Sequence, residues 1–71
     1  MSTDSNYETI REIDRELDEK RKQMEFHRTN LENFKKDPDM IDAATRENGR
    51  INMLAEAIAK LEEEKRALQN K

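Results

Sequence analysis

The sequence of 71 residues contains no cysteine, no tryptophan, one glycine and one proline. Without cysteine the chain has neither disulfides nor a thiol nucleophile, which fits a reducing compartment. With only two Phe and one Tyr, it also lacks the turn residues and aromatic runs that strands need. No apolar run approaches the roughly 18 residues that cross a membrane, and the N-terminus does not resemble a signal peptide. These absences favour a soluble, all-α protein.

Charged residues make up 44% of the chain and hydrophobic residues only 32%, too few for a thick globular core. Such a composition suits either disorder or a long pair of helices, and the hydrophobic periodicity decides between them. The net charge of -3 comes from acidic and basic residues mixed throughout. No field of the whole chain therefore indicates a nucleic-acid partner.

The first half of the chain predicts one helix over about residues 6–36. Its start is indicated by Ser5 and Glu8, which have the spacing of a capping box. Apolar residues then recur at alternating steps of three and four, a seam typical of a coiled coil. The seam consists of Ile10, Ile13, Leu17, Met24, Leu31 and Phe34, with Lys20 and His27 at the two remaining positions of the series.

A break at Asp37, Pro38 and Asp39 predicts a turn at about residues 37–38 and a second helix over about 39–70. Proline disfavours helical geometry at Asp37 and is tolerated in the first turn of a new helix, so Asp37 is the expected N-cap. The second helix repeats the same spacing. Its seam consists of Met40, Ala44, Ile51, Leu54, Ile58, Leu61 and Leu68, with Glu47 and Lys65 at the two remaining positions.

Because the turn is short, we expect the helices to pack antiparallel as a single hairpin over residues 1–71. Folding back at Asp37 gives a register in which every strongly apolar position meets another. The expected layers are Leu31 with Ala44, Met24 with Ile51, Leu17 with Ile58, Ile13 with Leu61, His27 with Glu47, Lys20 with Leu54, and Ile10 with Lys65.

The layer of His27 and Glu47 predicts a polar pair that fixes the register, a role that buried polar residues have in coiled coils. A metal site needs more ligands than one His and one Glu, and a catalytic nucleophile needs a Ser or Cys beside its base. We therefore expect no catalytic residue, no metal, no cofactor and no enzymatic activity.

Two features lie outside the seam. Phe26 and Met53 fall on the outer sides of their helices, where they are either an assembly contact or isolated exposed residues. The basic residues of helix one fall on a flank distinct from that of its acidic residues. This basic stripe either contacts RNA phosphates or a partner, or is a solvated flank with ion pairs such as Asp18 with Lys22. The stripe consists of Arg15, Arg21, Lys22, Arg28, Lys35 and Lys36.

Several segments resemble the N-terminal coiled-coil region of hantavirus nucleocapsid proteins. They are Met1-Ser2-Thr3, Arg11-Glu12-Ile13, Lys36-Asp37-Pro38-Asp39 and Ala59-Lys60-Leu61 followed by Lys65-Arg66 and Leu68. Phe34 stands where that family places an aromatic residue, and Arg28 matches a basic position. The resemblance covers nearly the whole chain and implies the beginning of a longer nucleoprotein.

The resemblance implies a module that helps nucleoprotein subunits associate around genomic RNA, in the virion and the host cytoplasm. The expected partners are other nucleoprotein subunits, with viral RNA and other viral proteins as further candidates. The isolated fragment is expected to be a monomer without membrane insertion. Two alternatives stay open: a basic hairpin that contacts RNA directly, and a coiled coil for general protein–protein interaction.

Overall fold

The computed structural model describes the backbone of residues 2–70 and the side chains of residues 6–70. Helix α1 spans Ser2–Lys35, a single 3₁₀ turn spans Pro38–Met40, and helix α2 spans Ile41–Gln69. The helices pack against each other in a rod of 57 × 14 × 12 Å. The predicted all-α helical hairpin is confirmed.

The start of α1 differs from the prediction, because the helix begins at Ser2 rather than near Asn6. Ser5 therefore lies inside the helix and is not its N-cap, so the predicted capping box is wrong. Adding a residue to a helix that has already formed costs little and gains a hydrogen bond, so the helix extends back past its expected start. The other three boundaries lie within two residues of the approximate ones predicted: α1 ends at Lys35, α2 begins at Ile41, and α2 ends at Gln69.

The turn explains why α2 begins late. Asp37 is extended, with φ -118° and ψ 113°, and its carboxylate accepts a hydrogen bond of 3.0 Å from the backbone N–H of Asp39. Pro38 begins the 3₁₀ turn, and the N–H of Met40 closes it on the Asp37 carbonyl at 2.9 Å. Asp37 is thus the N-cap, as predicted, but of a 3₁₀ turn that separates the two helices.

The core of the rod is thin. Ile13, Leu17 and Met24 of α1 are buried, whereas Glu47 is the one buried residue in the described part of α2. Apart from Met40, the other apolar positions of the predicted seam are half-buried, since a two-helix rod covers each helix on one side only. They are Ile10, Leu31, Phe34, Ala44, Ile51, Leu54, Ile58, Leu61 and Leu68.

Met40 is exposed, because it lies in the 3₁₀ turn and not in the α2 seam to which the spacing assigned it.

Across residues 2–70, no helix has both the length and the apolar character required to cross a membrane.

The capping hydrogen bond of Asp37 predicts a measurable contribution to stability. Replacing Asp37 by Ala removes the side-chain acceptor for the Asp39 N–H and should lower the free energy of unfolding by about 1 kcal/mol. Asp37→Asn is the matched control, because Asn caps about as well as Asp, and its stability should stay near that of the wild type. Urea denaturation followed by circular dichroism at 222 nm measures both. Equal stability of all three proteins would contradict a capping role for Asp37.

Candidate assembly surface

A polar layer interrupts the apolar seam at Glu47, which is only 4% exposed. One carboxylate oxygen, Oε2, lies 2.5 Å from Nδ1 of His27, and the other, Oε1, lies 3.2 Å from Nη1 of Arg50. A carboxylate only accepts hydrogen bonds, so His27 and Arg50 are the donors. The structure therefore brings together the His27–Glu47 pair that the register predicts, and it adds Arg50.

Both oxygens of Glu47 have a donor, which offsets the cost of removing a charged group from water. Among the described side chains, no buried nitrogen or oxygen lacks a hydrogen-bond partner. A slip of one layer along α1 would place Glu47 against Met24 or Leu31, neither of which can donate a hydrogen bond. The polar layer and the turn therefore select the same register.

Two ion pairs connect the helices along one side of the rod. Lys65 Nζ lies 2.6 Å from Asp14 Oδ1, and Arg21 Nη2 lies 3.0 Å from Glu62 Oε2. These four residues define the ion-paired face. Their side chains are 30–56% exposed, so each pair contributes at most about 1 kcal/mol.

Neither pair follows from the predicted register, in which Lys65 lies beside Ile10. The sequence does contain a signal for these two ion pairs. Asp14 and Arg21 are seven residues apart and directly follow the seam positions Ile13 and Lys20, where coiled coils carry their flanking charges.

The opposite side of the rod has two clefts that are lined by both helices. The first has a volume of about 320 Å³, and its lining includes Lys20, Gln23, Arg50, Met53, Leu54 and Ala57. The second has a volume of about 330 Å³ and is lined by Thr9, Ile13, Glu64, Ala67 and Leu68. Arg50, Ala57 and Glu64 are spaced by seven residues, so both clefts lie on one face of α2. These lining residues, together with Phe26, define the open face.

Phe26 and Met53 are both at this open face. Met53 is 71% exposed and lines the first cleft. Phe26 is 63% exposed, lies one turn after the cleft residue Gln23, and has its ring edge-on to His27 with the ring centroids 5.4 Å apart. Of the two residues predicted as an assembly contact, Met53 thus lines the cleft, and Phe26 contacts His27, which also lines it.

The predicted separation of charges on α1 does not hold. Lys22 pairs with Asp18 at 3.1 Å and Arg28 with Glu25 at 3.4 Å, so acidic and basic side chains alternate around the outer surface. The reason is that residues three or four apart are neighbours on a helix, whichever flank each was assigned to. Three members of the basic stripe thus pair with carboxylates: Arg21, Lys22 and Arg28. In the described part of the chain, the other three have no ion-pair partner: Arg15, Lys35 and Lys36.

Metal ligands do not cluster in this region. Within the described residues, no group of three or more His, Cys, Asp or Glu side chains has the arrangement to hold a metal ion. The residues that stand out are therefore the polar layer and the open face.

Comparison with known proteins finds no matching family model, no matching curated protein and no matching solved structure. A functional assignment therefore depends on the geometry of the hairpin. The similarity to hantavirus nucleoproteins remains a resemblance carried by the segments named above.

The contacts of the polar layer predict how substitutions at Glu47 and His27 change the stability of the hairpin. Glu47→Ala leaves the half-buried imidazole of His27 without its carboxylate and should lower the free energy of unfolding by about 2 kcal/mol. The double variant His27→Leu with Glu47→Leu should be at least as stable as the wild type, because a well-packed apolar layer replaces a buried polar pair. That variant should also show more than one oligomeric state, since the residues that select the register are gone.

Thermal denaturation and sedimentation velocity measure these two properties. Glu62→Ala is the control, because it removes an exposed carboxylate from a cross-helix pair and should cost less than about 1 kcal/mol. If Glu47→Ala proved no more destabilising than Glu62→Ala, the polar layer would have no special role.

Proposed function

We propose that this hairpin is an assembly module, through which copies of the protein that contains it associate. The observation that carries the proposal is the difference between its two long faces. One face is bridged by ion pairs, whereas the other has two clefts and the exposed side chains of Phe26 and Met53. Large apolar side chains beside a cleft are the usual composition of a protein-binding surface.

The resemblance to the hantavirus nucleoprotein coiled coil supports a more specific form of this proposal. In that form, the hairpin is the N-terminal module of a viral nucleoprotein and assists the self-association of subunits that encapsidate the genome. The module would then act in the virion and the host cytoplasm. The hairpin geometry agrees with this role, because a rigid rod positions a contact surface at a distance from the body of a subunit.

Direct RNA binding is the weaker alternative. A protein that contacts phosphates needs several Lys and Arg side chains whose charge is not cancelled locally. Arg21, Lys22 and Arg28 each have a carboxylate within 3.4 Å, and the chain as a whole carries a net charge of -3. The basic stripe therefore presents much less positive potential than its sequence suggests.

The assembly proposal predicts that the longer protein depends on this region to oligomerise. Chemical crosslinking of that protein with and without residues 1–71 should show higher oligomers only when the hairpin is present. A deletion tests the region as a whole, so the Glu62→Ala protein serves as a folded control that should crosslink like the wild type. Unchanged oligomers after the deletion would contradict the proposed function.

The RNA alternative has a different signature. We expect the 71-residue chain to show no measurable affinity for RNA at about 0.15 M salt, where exposed charges are well screened. Fluorescence anisotropy with a labelled single-stranded RNA at several salt concentrations measures this. Binding that weakens steeply with salt and disappears when Arg15, Lys35 and Lys36 are replaced by Glu would support RNA contact instead.

A further inference from the structure

Both sides of the open face carry exposed charged residues. Glu16 and Glu19 lie on the α1 side, seven residues before Gln23 and Phe26 respectively. Lys60 lies on the α2 side, seven residues after Met53, and lines a shallow depression with Glu63, Glu64 and Ala67. Glu16, Glu19 and Lys60 are exposed, and none of them forms an ion pair with another described residue. Their charges are therefore available to a partner.

The Asp14–Lys65 ion pair shows how far along the rod two side chains of antiparallel helices can be offset and still meet. Phe26 lies twelve residues after Asp14, and Met53 lies twelve residues before Lys65. Because both helices rise by about 1.5 Å per residue, Phe26 and Met53 are offset along the rod by the same distance as Asp14 and Lys65. Glu19 and Lys60, each five residues from the ion pair, have that same offset, so side chains at these positions can reach each other across antiparallel helices.

We propose that a second copy of this hairpin docks on the open face, related by a two-fold axis that runs along the rod. This inference depends on the proposed assembly function and names the surface and the arrangement. Such an axis places α1 of each copy on α2 of the other, with all neighbouring helices antiparallel, as in an up-down four-helix bundle. Phe26 then meets Met53 of the second copy, and Glu19 meets Lys60 of the second copy, each contact occurring twice.

The charged residues of the open face favour an axis along the rod over an axis across it. A two-fold axis across the rod, at the height of Met53, would place Lys60 against Arg46 of the second copy, because each is seven residues from Met53. Like charges in direct opposition are destabilising. The axis along the rod instead opposes an acidic residue and a basic residue.

The open face is also large enough for a protein–protein interface of standard size. A rod 57 Å long and 14 Å wide presents about 800 Å², which is what each partner contributes to an interface of standard size. Met53, Leu54 and Ala57 line the first cleft together with the cations Lys20 and Arg50, and Phe26 is exposed near it. Specific protein interfaces combine apolar and polar side chains in this way, with Arg enriched among the polar ones. Docking would also cover the half-buried seam residue Leu54.

The first experiment asks whether this face is the one used. Sedimentation equilibrium of the 71-residue chain from about 10 μM to about 1 mM should show a monomer that converts to a dimer within this range. Phe26→Lys and Met53→Lys should each raise the dissociation constant at least about tenfold, because both put a charge at the centre of the interface. Ile41→Lys is the matched control: Ile41 is 66% exposed and lies three heptads before Glu62, on the ion-paired face, so its dissociation constant should not change. Circular dichroism should show the same helicity in all variants.

The second experiment tests the arrangement. Glu19→Lys and Lys60→Glu should each weaken the dimer, and the double variant should restore it, because the swapped charges again attract across the interface. Since the chain has no cysteine, Phe26→Cys and Met53→Cys proteins can also be mixed and oxidised. Disulfide-linked heterodimers of the two should dominate over either homodimer. Predominant homodimers would overturn the axis along the rod.

The outcomes separate this inference from the proposed function. A dimer that is insensitive to Phe26→Lys and Met53→Lys, or that is lost in Ile41→Lys, overturns docking on the open face and leaves the assembly function standing. A chain that stays monomeric at about 1 mM also overturns the docking of two hairpins. The assembly function itself fails only if the longer protein crosslinks equally well without residues 1–71.

Discussion

The carboxylate of Glu47 constrains the whole hairpin, because it is a charged group held between two helices that have little else in their core. It is tolerable there only while His27 and Arg50 donate to its two oxygens. Apolar layers of Ile, Leu and Met are interchangeable, so they stabilise a pairing of the helices without selecting one. The polar layer selects one. The Asp37 cap and the 3₁₀ turn then connect the helices with a length that agrees with this selection.

Once the register is fixed, the two long faces of the rod acquire different properties. Asp14 and Arg21 reach across to Lys65 and Glu62 on one face, so that face satisfies its own charges. On the other face, small or flexible residues such as Ala57 and Gln23 leave clefts between the helices. A surface whose charges are already paired offers a partner few interactions. The face with the clefts and the exposed side chains of Phe26 and Met53 offers apolar contacts. The same register thus produces both the stability of the hairpin and the asymmetry that suggests a binding side.

Much of this architecture is readable from the sequence, and the exceptions have physical reasons. The three-four spacing of Ile13, Leu17 and Met24 identifies the buried side of α1, and Pro38 after Asp37 identifies the turn. The start of α1 was misplaced because extending an existing helix costs too little for a local capping signal to decide its end. The 3₁₀ turn was missed because its three residues differ from an α-helical first turn by one hydrogen-bond step, which composition does not encode.

The side-chain arrangement of the candidate site was less predictable than the backbone. The contact of His27 with Glu47 follows from layers along the seam, which depend on one repeating distance. Arg50 as the second donor and the pair of Arg21 with Glu62 depend instead on where long side chains extend from flanking positions. Grouping residues by flank also failed for Lys22 and Arg28, because each lies within one helical turn of an acidic residue.

The thin core makes the folding of the hairpin sensitive to binding. Ile13, Leu17 and Met24 are the only hydrophobic residues among those described that are buried, whereas most of the seam is half-exposed. A chain of this size with so small a core is marginally stable alone. Any partner that binds only the folded hairpin shifts the equilibrium toward the folded state in proportion to its concentration. If that partner is a second copy, the stability of the hairpin should rise with its own concentration. Assembly would then complete the core that the single chain leaves half-covered.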